Sequence, residues 1–250
     1  MVYNGVPSGA EQWERYVHSL HPALRFIRTT GSYGIARANN SGFNASHGQY
    51  IVFIHDDLLI LQKDWLNTFR RILDEHPEVG MVGGSEAKFI DRSPEEASWI
   101  EAGLKECDWA PTLSMVRRCH LEQGLLFDEF YRVGMEDKDW ALQFRRQGLK
   151  VAYIPIAHHH IGCQGSYVAF FSDRSLLDGY TKEGVRERYF LEKNKDVLKP
   201  EYYTAQMDKW SGRDRDWRRT WWMKLYLKYY IYRIVGVPKQ VYERIFRSSI

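Results

Sequence analysis

Five apolar, β-branched and aromatic residues in a row, Tyr50-Ile51-Val52-Phe53-Ile54, stop at His55-Asp56-Asp57. No other junction constrains the chain as much. A continuous apolar run of this length suits a strand buried on both faces of a sheet. Carboxylates that follow such a strand stand where open α/β sheets bind their ligands. Two adjacent carboxylates suit a hard divalent cation, which takes one or two of them and completes its shell with phosphate oxygens and water. The structural alternative is a turn, because Asp favours turns. On these two residues alone the two readings weigh equally.

The rest of the chain alternates strand and helix signals. Val2 and Tyr3 read as a strand end, 11–20 as a helix, 24–28 as a strand and 35–46 as a helix. Residues 64–75 read as a helix capped by Asp64, with Trp65, Leu66, Phe69, Ile72 and Leu73 on its apolar side. Residues 79–82 read as a strand stopped by Gly83-Gly84, 85–112 as a loop-rich insertion, and 114–117 as a short strand. Residues 138–147 form an amphipathic helix with Trp140, Ala141 and Phe144 inward and Gly148 at its C′ position. A strand at 151–154 follows. This alternation predicts a parallel, doubly wound sheet.

Two further polar clusters fall at element ends. Glu136-Asp137 opens the helix before Gly148, where acids also serve as simple N-terminal caps. The functional reading gives one of these carboxylates the proton of an acceptor hydroxyl. His158-His159-His160 follows the strand at 151–154. Neighbours on an extended segment point to opposite sides, so one or two of these rings face a crevice while another packs. Neutral imidazole ligates metals and binds phosphate oxygens.

Composition narrows the class. With 250 residues, 44% hydrophobic and 27% charged, the chain suits one α/β domain with or without a helical appendage, and not disorder. Cys107, Cys119 and Cys163 form no CxxC pair and no disulfide framework, which fits a reducing cytosol. The start shows no apolar run behind basic residues, and no stretch reaches the roughly 20 apolar residues of a spanning helix. The net charge of +3 is uneven: residues 211–250 hold ten Lys/Arg against three Asp/Glu, so the rest is net acidic. That argues against the broad basic face of a nucleic-acid binder. In the tail, Trp217, Trp221, Trp222, Tyr226 and Tyr229 lie among Arg218, Lys224 and Lys228. Such a mixture suits a peripheral membrane contact. A helix packed on the catalytic domain is the equal alternative.

The ordered set of motifs resembles the family-2 glycosyltransferases over roughly residues 1 to 165. Gly34-Ile35-Ala36-Arg37-Ala38-Asn39-Asn40-Ser41-Gly42 is similar to the family's Gly-x-Ala-x-Ala-x-Asn-x-Gly segment. The stretch from Ala45 to Asp57 resembles its A-x-x-G-x-Y strand ending in a DxD-type metal motif, and Asp64-Trp65-Leu66 the opening of its next helix. Gly134-Met135-Glu136-Asp137-Lys138-Asp139-Trp140 resembles the G-x-E-D-x-D-[LW] segment. Arg145-Arg146-Gln147-Gly148-Leu149-Lys150-Val151 and His159-His160-Ile161-Gly162 resemble the closing R-R-x-G-x-x-V and H-H-x-G runs.

The resemblance implies a GT-A-like fold: a doubly wound mixed sheet flanked by helices, here with a helical C-terminal extension. It implies a core at 1–165, a helical or loop extension at 166–210 and the basic aromatic tail at 211–250. The implied reaction is inverting transfer of a sugar from a nucleotide-sugar donor to a glycan or lipid-linked acceptor hydroxyl, with Mg²⁺ or Mn²⁺. Asp57 would be the main metal ligand, Asp56 a second ligand or a ribose contact, and His159 a contact to the metal or the diphosphate. Asp137 would be the base, Glu136 would orient the acceptor, and Arg37 and Asn40 would lie near the nucleotide. The implied place of work is the cytoplasm, at the inner face of a membrane. Two departures stand out: His55 replaces the first Asp of the metal motif, and the chain opens at the Asn4-Gly5 turn without the strand and helix that members carry ahead of it. These departures keep a second function open, a glycosyltransferase-like binding module with impaired turnover. A nucleotidyltransferase would carry a Gly-rich, Lys/Arg-bearing phosphate loop near the start, and the sequence has none.

Overall fold

The structure is a computed structural model that describes residues 2–3, 10–28, 34–55, 57–86, 104–107, 109–131, 134–160 and 185–210. The side chains of Tyr3, Ser85, Glu86, His159, His160 and 208–210 are not described. The chain divides into two compact units. One holds Met1–Gln164 and Glu192–Leu198, the other Gly165–Leu191 and Lys199–Ile250. The tail at 211–250, and with it the expected membrane contact, lies outside the described residues.

In chain order the elements are β1 (Val2–Tyr3), α1 (Ala10–Leu20), β2 (Ile27–Arg28), α2 (Ile35–Asn44), β3 (Tyr50–Ile54), β4 (Leu58–Ile60), α3 (Trp65–Glu75) and β5 (Val79–Glu86). They continue with β6 (Lys105–Glu106), β7 (Leu113–Arg117), α4 (Arg118–Glu122), α5 (Glu136–Arg146), β8 (Lys150–Ile156), β9 (His158–His160), α6 (Val185–Asn194) and α7 (Pro200–Trp210). Among the described residues no helix is long and apolar enough to cross a membrane.

The first unit is built on a five-stranded sheet in the order β3-β7-β5-β8-β6. Its register explains how both faces become core. Ile51, Val116, Met81 and Val151 are cross-strand partners, and all four lie in one apolar cluster with Ala36 and Phe43 of α2 and Trp140 and Phe144 of α5. The next row, Val52, Met115, Val82 and Ala152, joins the other cluster with Phe69, Ile72 and Leu73 of α3. Successive strand residues point to opposite faces, so each row serves one layer of helices.

The sheet is mixed, as the resemblance implies, and not parallel throughout as the strand-helix alternation alone predicts. β5 pairs in parallel with β8, while β7 is antiparallel to both β3 and β5, and β6 is antiparallel to β8. β3, β5 and β8 therefore run one way, as the strand-helix alternation requires, and β7 is inserted between two of them. β3 packs on both faces, Ile51 and Phe53 against one cluster and Tyr50 and Val52 against the other, but it lies at the sheet edge. It pairs only with β7 in the described sheet, and Ile54 is 50% exposed. β5 does not stop at Gly83-Gly84 but runs through them to Glu86. A Cβ on Gly83 would lie 2.4 Å from Pro111 Cγ and 2.6 Å from the Leu113 carbonyl, so the glycine admits a close approach of backbone and does not end the strand.

In the second unit, α7 and the first part of α6 are described, and an Arg186–Glu187 ion pair lies on α6.

Candidate active site

The end of β3 delivers the first cluster. The His55 amide donates to the Thr112 carbonyl at 3.2 Å, which holds the chain against the segment leading into β7. Asp56 lies outside the described residues. Asp57 is half-buried and leads directly into β4, which pairs antiparallel with β9: Leu58 opposite His160, Leu59 opposite His159, Ile60 opposite His158. This two-stranded ribbon brings the histidine strand beside Asp57, about 100 residues away in the chain. A second tie closes the ribbon, where the Leu61 and Gln62 amides donate to the Ala157 carbonyl at 2.8 and 3.0 Å.

His158 is the ring that packs. It is 5% exposed, its Nδ1 lies 2.9 Å from the Ile156 carbonyl, and its Nε2 makes no hydrogen bond among the described residues. The side chain of His159, the expected ligand, is outside the described set.

The second cluster is delivered by an unusual turn. Gly134 has φ 74° and Met135, the N-cap of α5, has φ 70°. A non-glycine residue in the left-handed region is strained, and such strain collects at functional sites. Here it turns the chain sharply so that Glu136 and Asp137 open the helix. Glu136 is buried and Asp137 half-buried. Burial pushes the Asp137 carboxyl above its ordinary value, against the opposing pull of the Lys138 backbone amide, the Lys138 charge and the nearby His55.

His55 thus stands near enough to Asp137 for its charge to act on the carboxyl. The connection is visible in the backbone as well. The Ala110 amide donates to the Asp137 carbonyl at 3.0 Å, and two residues on, the Thr112 carbonyl receives the His55 amide. Segment 110–112 thus spans from the start of α5 to the end of β3. Among the described residues no group of three His, Cys, Asp or Glu side chains is gathered as a metal cage. The Asp57 carboxylate is an oxygen donor of the kind that Mg²⁺ and Mn²⁺ take, and the β4–β9 ribbon sets the backbone of the histidine strand beside it.

The two residues expected at the nucleotide differ. Arg37 is exposed on α2, with Nε 3.9 Å from Glu129 Oε2. Asn40 is buried and committed to the protein. Its Nδ2 donates to the Phe127 carbonyl at 2.9 Å and to Glu129 Oε1 at 3.1 Å, and its Oδ1 accepts the Phe127 amide at 3.1 Å. The side chain fastens α2 to the loop before α5, which is a structural task. Sequence reasoning gave no place to Trp109, whose exposed indole lies one residue from Ala110. It also missed Lys193 and Asn194, which reach α5 from the far end of the chain.

Residues 15–107 match a family model described as a glycosyltransferase like family. No curated protein matches the sequence. Among solved structures, the mannosyltransferase PcManGT from Pyrobaculum calidifontis, in complex with GDP-Man and Mn²⁺, is 17% identical over 90% of this chain and 73% of that one, with a TM-score of 0.46. GalNAc-T7, with UDP, GalNAc and Mn²⁺, is 13% identical over 62% of this chain and 35% of that one, at 0.49. TarS of S. aureus is 11% identical over 86% of this chain, at 0.50. This chain spans only 37% of TarS and 35% of GalNAc-T7. The likeness to TarS is one of fold: a mixed sheet flanked by helices, the GT-A arrangement.

Proposed function

We propose, from the premise that this chain is a glycosyltransferase-like protein with the GT-A fold, that it transfers a sugar from a nucleotide-sugar to an acceptor hydroxyl with inversion. The observation that carries this reading is Asp137: a carboxyl raised by burial, in the first turn of α5, tied through segment 110–112 to the end of β3. A base works best when its pKa lies nearer the working pH, and burial moves an aspartate that way.

In this reading the acceptor hydroxyl gives its proton to Asp137 as its oxygen bonds to the anomeric carbon. The bond from that carbon to the phosphate oxygen breaks, and the nucleotide leaves with the electron pair. One base and a stabilised leaving group suffice, with no protein nucleophile. Glu136 orients the acceptor. Asp57, with Asp56 and His159, would hold Mg²⁺ or Mn²⁺, which when bound neutralises charge on the departing phosphates. Arg37 and His55 serve the donor side. The solved mannosyltransferase and GalNAc-T7 are complexes with Mn²⁺, in keeping with this choice of ion. The acceptor class is a glycan or a lipid-linked glycan, and the basic aromatic tail at 211–250 would bring the enzyme to the inner face of an anionic membrane.

The test is transfer or hydrolysis across a panel of nucleotide-sugars with Mn²⁺, comparing wild type with Asp57→Ala and Asp137→Asn. Turnover should fall roughly 10²- to 10⁴-fold in Asp137→Asn with donor binding kept. Asp57→Ala should lose the melting shift that Mn²⁺ and donor together produce. A wild type as inert as both variants would instead favour a binding module without turnover.

A further inference from the structure

The face of α5 opposite Asp137 is gripped by residues from much later in the chain. Asp139 follows Asp137 by two positions, which on an α-helix is a rotation of about 200°. Asp139 has no solvent exposure. Its Oδ1 accepts from Asn194 Nδ2 at 2.9 Å and Tyr131 Oη at 3.3 Å. Its Oδ2 accepts from Lys193 Nζ at 2.8 Å and Gln143 Nε2 at 3.0 Å. A carboxylate withdrawn from water needs such a set of donors.

Lys193 does more than neutralise Asp139. Its Nζ also lies 2.6 Å from Asp128 Oδ2, so one ammonium joins the helix to the loop that precedes it. Burial opposes the charge on Lys193, yet the two carboxylates outweigh it and raise the pKa of the ammonium. The other end of α5 is held by the same segment. Arg146 donates to the Lys193 carbonyl at 2.6 Å and to both Asp196 oxygens at 3.0 and 2.7 Å. The segment Glu192–Leu198 accordingly belongs to the same compact unit as the sheet.

We propose that Lys193 and Asn194 are positioning residues: by gripping Asp139 they set the rotation of α5 about its axis, and with it the direction in which Asp137 presents its carboxylate. The catalytic half of this inference rests on the role of Asp137 proposed above. A helix held at one face cannot roll, and a roll of a few degrees displaces a reacting oxygen by a fraction of an ångström. Displacements on the order of 1 Å are enough to cost about 10²-fold in rate.

The experiment uses the full chain and two variants. Lys193→Met removes the ammonium and leaves Asp139 buried beside Asp128. The double variant Lys193→Met/Asp139→Asn removes the lone buried charge at Asp139 and so protects the fold. Two quantities are read: kcat and KM with the nucleotide-sugar that gives the largest melting shift with Mn²⁺, and hydrogen exchange of the Asp139 amide, which donates to the Met135 carbonyl at 2.9 Å. Both variants should lower kcat by about 10- to 100-fold with KM nearly unchanged. The Asp139 amide should exchange about tenfold faster while that of Gln147 does not change. Wild-type kcat in the folded double variant would reduce the grip to a stability device and overturn the proposal. Should wild type turn over no donor, the function of Asp137 fails by itself. Exchange then still decides the grip: an unchanged Asp139 amide in both variants sinks it, and a selective increase upholds it.

Discussion

In the proposed role of base, Asp137 has opposite consequences for activity and for stability. Its carboxyl has an ordinary value of 3.8 and is raised in the fold, chiefly by burial. Below 3.8 the group is protonated in both states, and its contribution to stability is at its best. As the pH rises through the raised folded value, the folded protein must ionise a half-buried group, and that stability is lost. Asp137→Asn should therefore melt higher than wild type at pH 7, with the difference vanishing toward pH 3, while turnover collapses. Melting curves across that range check the sign, and a variant that melts lower at pH 7 would contradict it. The same scale separates what residue patterns reveal from what they hide. Asp57 and Asp137 stand out as candidates in the sequence because one follows an apolar strand and the other opens an amphipathic helix. The task of Asn40 was not legible, because the motif that contains it looks the same whether the amide meets a nucleotide or the Phe127 backbone. Lys193 was hidden by its 54-residue separation from Asp139.

Among the elements, α3 depends on a side chain that belongs to another strand. Arg117, the last residue of β7, donates to the Val79 carbonyl at 2.8 Å, to His76 at 3.3 Å and to Leu73. Two of these are carbonyls at the end of α3, where no intrahelical donor remains. Bonds from a charged donor are worth about 1.5–3 kcal/mol each where buried, so Arg117→Met should destabilise by on the order of 3 kcal/mol in urea titrations. Burial first, and then Arg117, lower the pKa of the neighbouring His120. That contribution is present above pH 6.5 and is lost as the pH falls through the lowered value. In Arg117→Met the His120 titration, followed by NMR, should move up toward the ordinary value. In β5 the crowding at Gly83 gives a second expectation. Gly83→Ala puts a methyl against Pro111 and the Leu113 carbonyl, and Leu113 is fixed in the β7 ladder. Overpacking of this kind costs about 1–3 kcal/mol, so a neutral melting temperature would refute the steric account. Strand positions in this sheet were readable from apolar runs. Direction was not, since an apolar run such as β7 reads the same parallel or antiparallel, and the chain path outside it decides.

At the scale of the whole molecule, the charge asymmetry between body and tail makes the last prediction. A chain ending near residue 210 loses ten Lys/Arg and three Asp/Glu, so it should no longer co-sediment with anionic vesicles that hold the full chain. Equal binding by both would end the membrane role of the tail. Taken alone, the sequence determined the order of elements and the residue classes at their ends: apolar runs of the right length, acids after β3 and before α5, and three histidines after β8. Those features are local, and local periodicity and capping express them directly. Only the tertiary structure decided which of them meet. The β4–β9 ribbon brings the histidine strand to Asp57, segment 110–112 ties Asp137 to the end of β3, and Lys193 with Asn194 fastens the far face of α5. Each of these contacts joins residues far apart in the chain, and the hydrogen bonds that make them exist only once the backbone has closed around a common core.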